Sequence, residues 1–307
     1  MSVVDPGSPG VAAIGDTVGE AGIADVAAAR PMRKDVWRRF RRNKLAVVGL
    51  AFIVVLTLAA LLAPWITSYE YTQLSSDSRA APSTDHWFGT DRIGRDVFTR
   101  VVYGARISLR IGILATAISL AIGMVLGAIA GFFGGIVDTL IMRITDIFLA
   151  IPYIVLAIAI ATLFGRSENS IIIVLGSIGW LAITRIVRAS FLSLKQLEYV
   201  EAATALGFSR PRIMFRHILP NALQPIIVYG TVAIGSVILS EAALSFLGVG
   251  PQDPTPAWGL MVAQAGAAAL ATGPHMLFFP GAAIFATVLA FVFVGDGLRD
   301  ALDPKLK

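Results

Sequence analysis

The chain contains no cysteine, which excludes disulfides, iron–sulfur clusters and thiolate chemistry. Its only histidines, His86, His217 and His275, lie far apart and in no zinc-holding spacing such as H-E-x-x-H, so no metal centre is expected. No G-x-x-x-x-G-K-S/T loop occurs and no lysine follows a glycine, which excludes a phosphate-cradling loop from this chain. Charge is scarce as well. Only 15% of the 307 residues are charged against 56% hydrophobic, a balance that excludes a soluble domain and points to an integral membrane protein. The net charge of +5 comes largely from a cluster ahead of the first apolar run, where it reports membrane orientation better than nucleic-acid binding.

What is present is a series of apolar segments. Residues 1–32 are rich in Gly, Ala, Ser and Asp, lack a basic start or an apolar core, and read as a disordered cytoplasmic tail and not as a signal peptide. Residues 33–44, RKDVWRRFRRNK, form a basic interfacial segment. The run 45–65 follows directly and is long enough to cross a hydrocarbon core of ~30 Å, which takes about 20 helical residues. Five further segments, at about 111–133, 140–163, 170–187, 222–247 and 277–295, predict an all-α unit of six transmembrane helices over 45–307. The positive-inside rule places the N-terminus in the cytoplasm, and six crossings return the C-terminus there. Arg185, Arg188, Lys195, Arg210, Arg212 and Arg216 gather around the loop 188–221 and mark it as cytoplasmic independently.

The polar loop at about 68–106 then lies outside, although the six arginines between Ser68 and Arg110 fit the rule poorly. Phe98, Val101, Val102 and Ala105 recur at i, i+3, i+4, i+7 with Arg100, Arg106 and Arg110 elsewhere, which predicts an interfacial amphipathic helix over 96–110. The stretch 257–272 is too short for a crossing and reads as an outer loop with some helix.

Three constellations carry a structural and a functional reading side by side. Gly123, Gly127, Gly131 and Gly135 line one helix face, either for close helix packing or along a pore. Arg143 can reach Asp138 or Asp146 across about one turn, to settle a helix end or to gate. Glu241 lies within an apolar segment, where a carboxylate is expensive; it is either functional or a hydrogen-bonded structural group.

The stretch EYVEAATALGFSRPRIMFRHILPN, 198–221, interrupts the apolar pattern. Good helix formers run from Glu198 to Leu206, and Gly207 stands where a helix stop places a residue of positive φ. Ser209 offers an N-cap, Pro211 fits a first turn, and a second helix is expected to run to Leu219, with Pro220 and Pro225 bending the chain onward. These residues alone leave open a docking platform or an ordinary basic loop.

Glu201, Ala202, Ala203, Gly207, Leu219 and Pro220 match the EAA signature of ATP-binding-cassette importer permeases, with His217 standing where that signature has isoleucine. DHWFGTDRIGRDVFTRVVYGARISL, 85–109, and LSFLGVGPQDPTPAWG, 244–259, resemble segments of the C-type subunit of dipeptide and oligopeptide importers. The likeness runs from about Arg38 to the C-terminus. It implies a type I importer permease fold and no catalysis by this chain. It also implies coupling to an ATPase through Glu201, Ala202, Ala203 and Gly207, and more loosely through Arg210, Arg216, Leu219 and Pro220. Asp91, Arg92, Arg95, Asp96 and Trp258 are the candidates for an external gate or binding-protein docking surface. The implied partners are a second, homologous permease subunit, a cytoplasmic ATPase that holds ATP and Mg, and an extracytoplasmic binding protein, at a bacterial inner membrane. Dipeptides or short oligopeptides are the implied cargo, with nickel, glutathione or haem as alternatives. The rival from another class is an ion-coupled secondary transporter using Glu241 or Asp146.

Overall fold

The computed structural model describes residues 32–266 and 269–303; the predicted N-terminal tail lies outside them, apart from Met32. The elements are α1 (Met32–Arg42), α2 (Lys44–Leu61), α3 (Ala63–Ile66), α4 (Val97–Phe133), α5 (Gly135–Leu149), α6 (Tyr153–Phe164) and α7 (Glu168–Leu194). There follow α8 (Glu198–Ala205), α9 (Arg210–Arg212), a π-helical turn (Ile213–Ile218), α10 (Leu219–Phe246), α11 (Trp258–Ala265), α12 (Ala269–Thr272) and α13 (His275–Leu302). Among the described residues, five helical stretches are long and apolar enough to cross a membrane singly: α2, α4, α7, Arg210–Phe246 and α13. The sixth candidate is α5 with α6, bent by 91°.

That bend corrects the expected straight segment 140–163. Pro152 is the cause, because its ring fixes φ and removes the N–H that would continue the ladder from α5. A second correction concerns 96–110, which forms no separate interfacial helix. Asp96 caps α4 by accepting from the Thr99 N–H at 2.7 Å, and nothing breaks the helix before Gly134, so the segment is the first part of a 37-residue rod. Its apolar positions Val101, Val102 and Ala105 are buried against protein.

The most extensive packing joins α4 to α7. A Cβ at Gly123 would lie 2.6 Å from the Ile183 Cβ, one at Gly127 2.6 Å from the Thr184 carbonyl oxygen, and one at Gly131 2.6 Å from the Phe191 Cβ. These glycines therefore serve close helix approach. Gly135 does not, having nothing within 4 Å. Around this pair, α10 packs on α4, α7 and α13, while α1 and α2 pack on α13.

The third correction is electrostatic. Asp138 accepts from Arg188, whose Nη2 lies at 2.6 Å, and Asp146 accepts from Arg185 at 2.5 Å. Both pairs tie α5 to α7, and Arg143 is exposed without an ion-pair partner among the described residues.

Candidate functional sites at the two ends of the long helix

At one end of α4, Ala128 and Phe132 share an apolar cluster with Val187 and Phe191 of α7, Val200 and Ala203 of α8, and Ile213 and Ile218 of the π turn. Val200 and Ala203 are the buried face of α8, and Glu201, Ala202, Thr204 and Ala205 are exposed. The stop is a complete Schellman motif. Gly207 has φ +77°, its N–H donates to the Thr204 carbonyl at 3.0 Å, and the Phe208 N–H donates to the Ala203 carbonyl at 3.2 Å. Phe208 then packs against the cluster, with His217 stacked on it at 5.7 Å and the Arg212 guanidinium 4.4 Å from its ring centre. A groove of about 640 Å³ runs beside α8, lined by Phe132, Phe133, Lys195, Glu201, Arg210 and Ile213, among others. Lys195 is fixed there by donating to the Phe132 carbonyl at 2.8 Å.

The second half of this region departs from expectation. Ser209 occupies the N-cap position without a side-chain cap bond, and the following helix continues through Leu219 and Pro220 into α10 with Pro225 inside it. The π turn explains how. Leu219 N–H bonds to the Met214 carbonyl, five residues back, so the helix is widened where the Pro220 ring would otherwise meet the carbonyl of Arg216. Arg210, Arg216 and Pro220 are exposed, and Leu219 is half-buried.

At the other end of α4, Arg95 is the hub of a polar network. Its Nε donates to Asp91 at 2.6 Å, Nη1 to Asp253 at 2.9 Å and Nη2 to Gln264 at 3.2 Å, while Gln264 donates to Asp253 at 2.5 Å. Burial disfavours the Arg95 charge, but the bonds to Asp253 and Asp91 outweigh it and hold the guanidinium above its usual pKa. Burial likewise pushes Asp253 up, and the bonds from Gln264 and Arg95 with the nearby arginine charges bring it below the usual carboxylate range. Arg92 reaches the Gln264 carbonyl at 3.3 Å. The network thereby joins the loop before α4 to the loop and helix around α11, beside a cleft of about 170 Å³.

Two of the residues expected at this surface are internal supports instead. Asp96 is buried as the α4 cap, with His86 3.0 Å from its second oxygen. Trp258 is fully buried, its N–H donating to the Val101 carbonyl at 2.9 Å and its ring filling the space over Gly104. Arg95 itself is 6% exposed and Asp91 is half-buried with both carboxylate oxygens bonded within the loop, which leaves Arg92 as the exposed member of the set. Sequence reasoning missed Arg100, assigned to a solvated face but 1% exposed here, with Asp91 at 3.9 Å and Asp253 at 3.7 Å. Its i, i+4 neighbours gave no signal, because those partners come from the preceding loop and from a loop far along the chain.

Between the two ends, Glu241 is fully buried and accepts from Ser245 at 2.7 Å and Ser108 at 3.3 Å. Below it opens a cavity of about 330 Å³ between α4, α6, α7 and α10, where Thr116, Ser119, Tyr153, Tyr229, Ser236 and Ser240 supply hydroxyls and no charged side chain contributes. Scattered through apolar segments, these hydroxyls carried no pattern in the sequence.

The comparisons with known proteins bear on the family and the fold. Residues 123–307 match the family described as binding-protein-dependent transport system inner membrane component, and residues 31–82 match the N-terminal TM domain of oligopeptide transport permease C. The chain is 46% identical over 275 residues to the dipeptide transport system permease protein DppC of Alkalihalophilus pseudofirmus, covering 89% of this chain and 90% of that protein. It is 46% identical over 279 residues to the glutathione transport system permease protein GsiD of Escherichia coli O157:H7, with the same coverage. A solved structure of the methionine ABC transporter MetNI in an inward-facing conformation has a chain that superposes with a TM-score of 0.58 at 19% identity. That likeness covers 67% of this chain and 97% of that one, and shows the shared permease fold. With both ends of α4 built as described, the chain belongs to the binding-protein-dependent inner membrane component family as a multi-pass importer permease of the oligopeptide permease C type, a transport subunit and not an enzyme.

Proposed function

We propose that this chain moves dipeptides or short oligopeptides inward across a bacterial inner membrane, as one of two non-identical permease subunits. An extracytoplasmic binding protein delivers the cargo, and ATP with Mg on a partner ATPase supplies the energy; the chain needs no cofactor of its own. The relatives named for dipeptide and glutathione transport support a peptide cargo equally, since glutathione is itself a small peptide.

The observation that carries this reading is α8: a short helix with an exposed Glu201 and Ala202 edge, locked by its Gly207 stop, and seated through Val200 and Ala203 on the ends of α4 and α7. Displacement of α8 by a partner loads the π turn at the start of α10 and, through the shared apolar cluster, the ends of α4 and α7. The opposite end, with Arg92 exposed and Asp91 half-buried beside the Arg95 network, is where the binding protein docks. The N- and C-termini and the α8 loop then lie in the cytoplasm. The uncharged, hydroxyl-lined cavity suits a cargo whose backbone amides need hydrogen bonds and whose charges vary.

The test is ATP-driven peptide uptake by the complete complex in vesicles. Gly207→Asp places a side chain at φ +77° and a carboxylate on the exposed corner of α8. Uptake is expected to fall to background while the variant still inserts and assembles; normal uptake would sink the coupling assignment.

A further inference from the structure

Helix α1 lies across the start of α2 and the end of α13, held there by Phe40, which is buried with Ala46, Val294 and Ala301. Gly297 permits the approach, since a Cβ there would lie 2.2 Å from Ala46 and 3.2 Å from the Phe40 ring. Beside this contact α1 leaves an open groove of about 480 Å³ whose lining is wholly apolar, including Val36, Trp37, Phe40, Leu50, Val294 and Leu298. Trp37 stays 53% exposed over it.

Basic side chains outnumber acidic ones around this groove. Arg41, Arg42 and Lys44 are exposed and have no ion-pair partner among the described residues. The acids nearby are accounted for differently: Asp35 pairs with Arg38, Asp300 accepts from Asn43, and Asp296 is exposed on α13. Arg41 follows Trp37 by one turn and shares its face of α1. Depth fits as well. Leu50 lies six residues into α2, about 9 Å along the helix from Lys44 at 1.5 Å per residue. An interfacial helix seats its apolar face about 5–10 Å into the boundary between headgroups and acyl chains.

We infer that this groove binds an anionic phospholipid, with an acyl chain between α1, α2 and α13 and the phosphate met by Arg41 and Lys44. The apolar lining accepts any acyl chain; the unpaired cations make the site selective for negative headgroups. Each basic side chain near the surface adds about a fivefold preference for an anionic lipid.

The test is native mass spectrometry of the full-length chain released from micelles holding equal phosphatidylglycerol and phosphatidylcholine. The wild type is expected to retain phosphatidylglycerol in preference. Arg41→Gln with Lys44→Gln is expected to lower that preference roughly 25-fold, while Arg41→Lys with Lys44→Arg keeps it. Leu298→Trp, which fills the groove, is expected to reduce retention of both lipids. Equal retention of the two lipids by the wild type, or an unchanged preference in the glutamine variant, overturns the assignment. So does a rise in bound lipid on deleting residues 1–30, which would make the tail the groove's occupant.

Discussion

The seam between α4 and α7 makes a quantitative prediction through Gly127→Ala. The added methyl meets the Thr184 carbonyl oxygen and the Val187 Cβ at 2.6 Å each, where ordinary contact starts at 3.4 Å. Neither obstacle is the far end of a flexible side chain, so the helices must part by about 0.8 Å, and a gap of that order forfeits a quarter to a half of each dispersion contact along the seam. Overpacking of this kind costs about 1–3 kcal/mol, offset by up to about 1 kcal/mol from alanine's better helix propensity. With the full offset the net loss is about 0–2 kcal/mol, and relative to a control that gains the same propensity it is about 1–3 kcal/mol. Gly281→Ala on α13 is the control, because nothing lies within 4 Å of its Cβ, and it should be neutral or mildly stabilising. Reversible unfolding of the purified chain in mixed micelles, followed by tryptophan fluorescence, gives both values. Equal stabilities for the two variants would refute the packing argument. A Gly127→Ala protein of full stability that no longer transports would favour the pore-lining role.

Three other perturbations test separate parts of the molecule. Glu241→Gln keeps an acceptor for one serine hydroxyl and a donor for the other, so stability should change by no more than about 1 kcal/mol and ATP-driven uptake should persist; loss of uptake in an assembled variant would revive an ion-coupled carboxylate. Ser78→Cys lies on an exposed part of the loop before α4 and, on the proposed topology, should react with an impermeant thiol reagent from outside intact cells, whereas labelling only after lysis reverses that topology. The Asp253 tie has a folded pKa below its unfolded value, so its contribution is complete above about pH 3.9 and is lost as pH falls through the lower folded value. Hydrogen exchange in the segment 253–264 should therefore be insensitive to this group between pH 5 and 8, beyond the intrinsic pH dependence of amide exchange, as a comparison with Asp253→Asn would reveal.

Local rules read the sequence well where the physics is local. The Gly207 stop, the apolar segments and the glycine stripe each follow from neighbours within a turn or two. The errors arose where distant chain decides. Arg143 had acids at helical spacing, yet Asp138 and Asp146 take arginines from α7, some 50 and 39 residues away. Trp258 stood in a Gly- and Pro-rich segment and read as surface, but its N–H finds a carbonyl 157 residues earlier. Arg100 is buried for the same reason. The amphipathic pattern at 96–110 was real, but its apolar face meets α11 and α13 rather than lipid. Pro220 was taken as a bend because sequence gives no sign of the π turn that absorbs it.

The unbroken α4 has a mechanical consequence. At 1.5 Å per residue its 37 residues make a rod of about 55 Å, with the α8 seat at one end and the Arg95 network at the other. A rod without a joint acts as a lever: pivoting by about 5° near one end sweeps the other through about 5 Å, roughly the diameter of an extended peptide backbone. If α8 is the coupling contact proposed above, small movements at its end of α4 become openings of useful width at the Arg95 end without any local unfolding, and stiffness along α4 sets the gain.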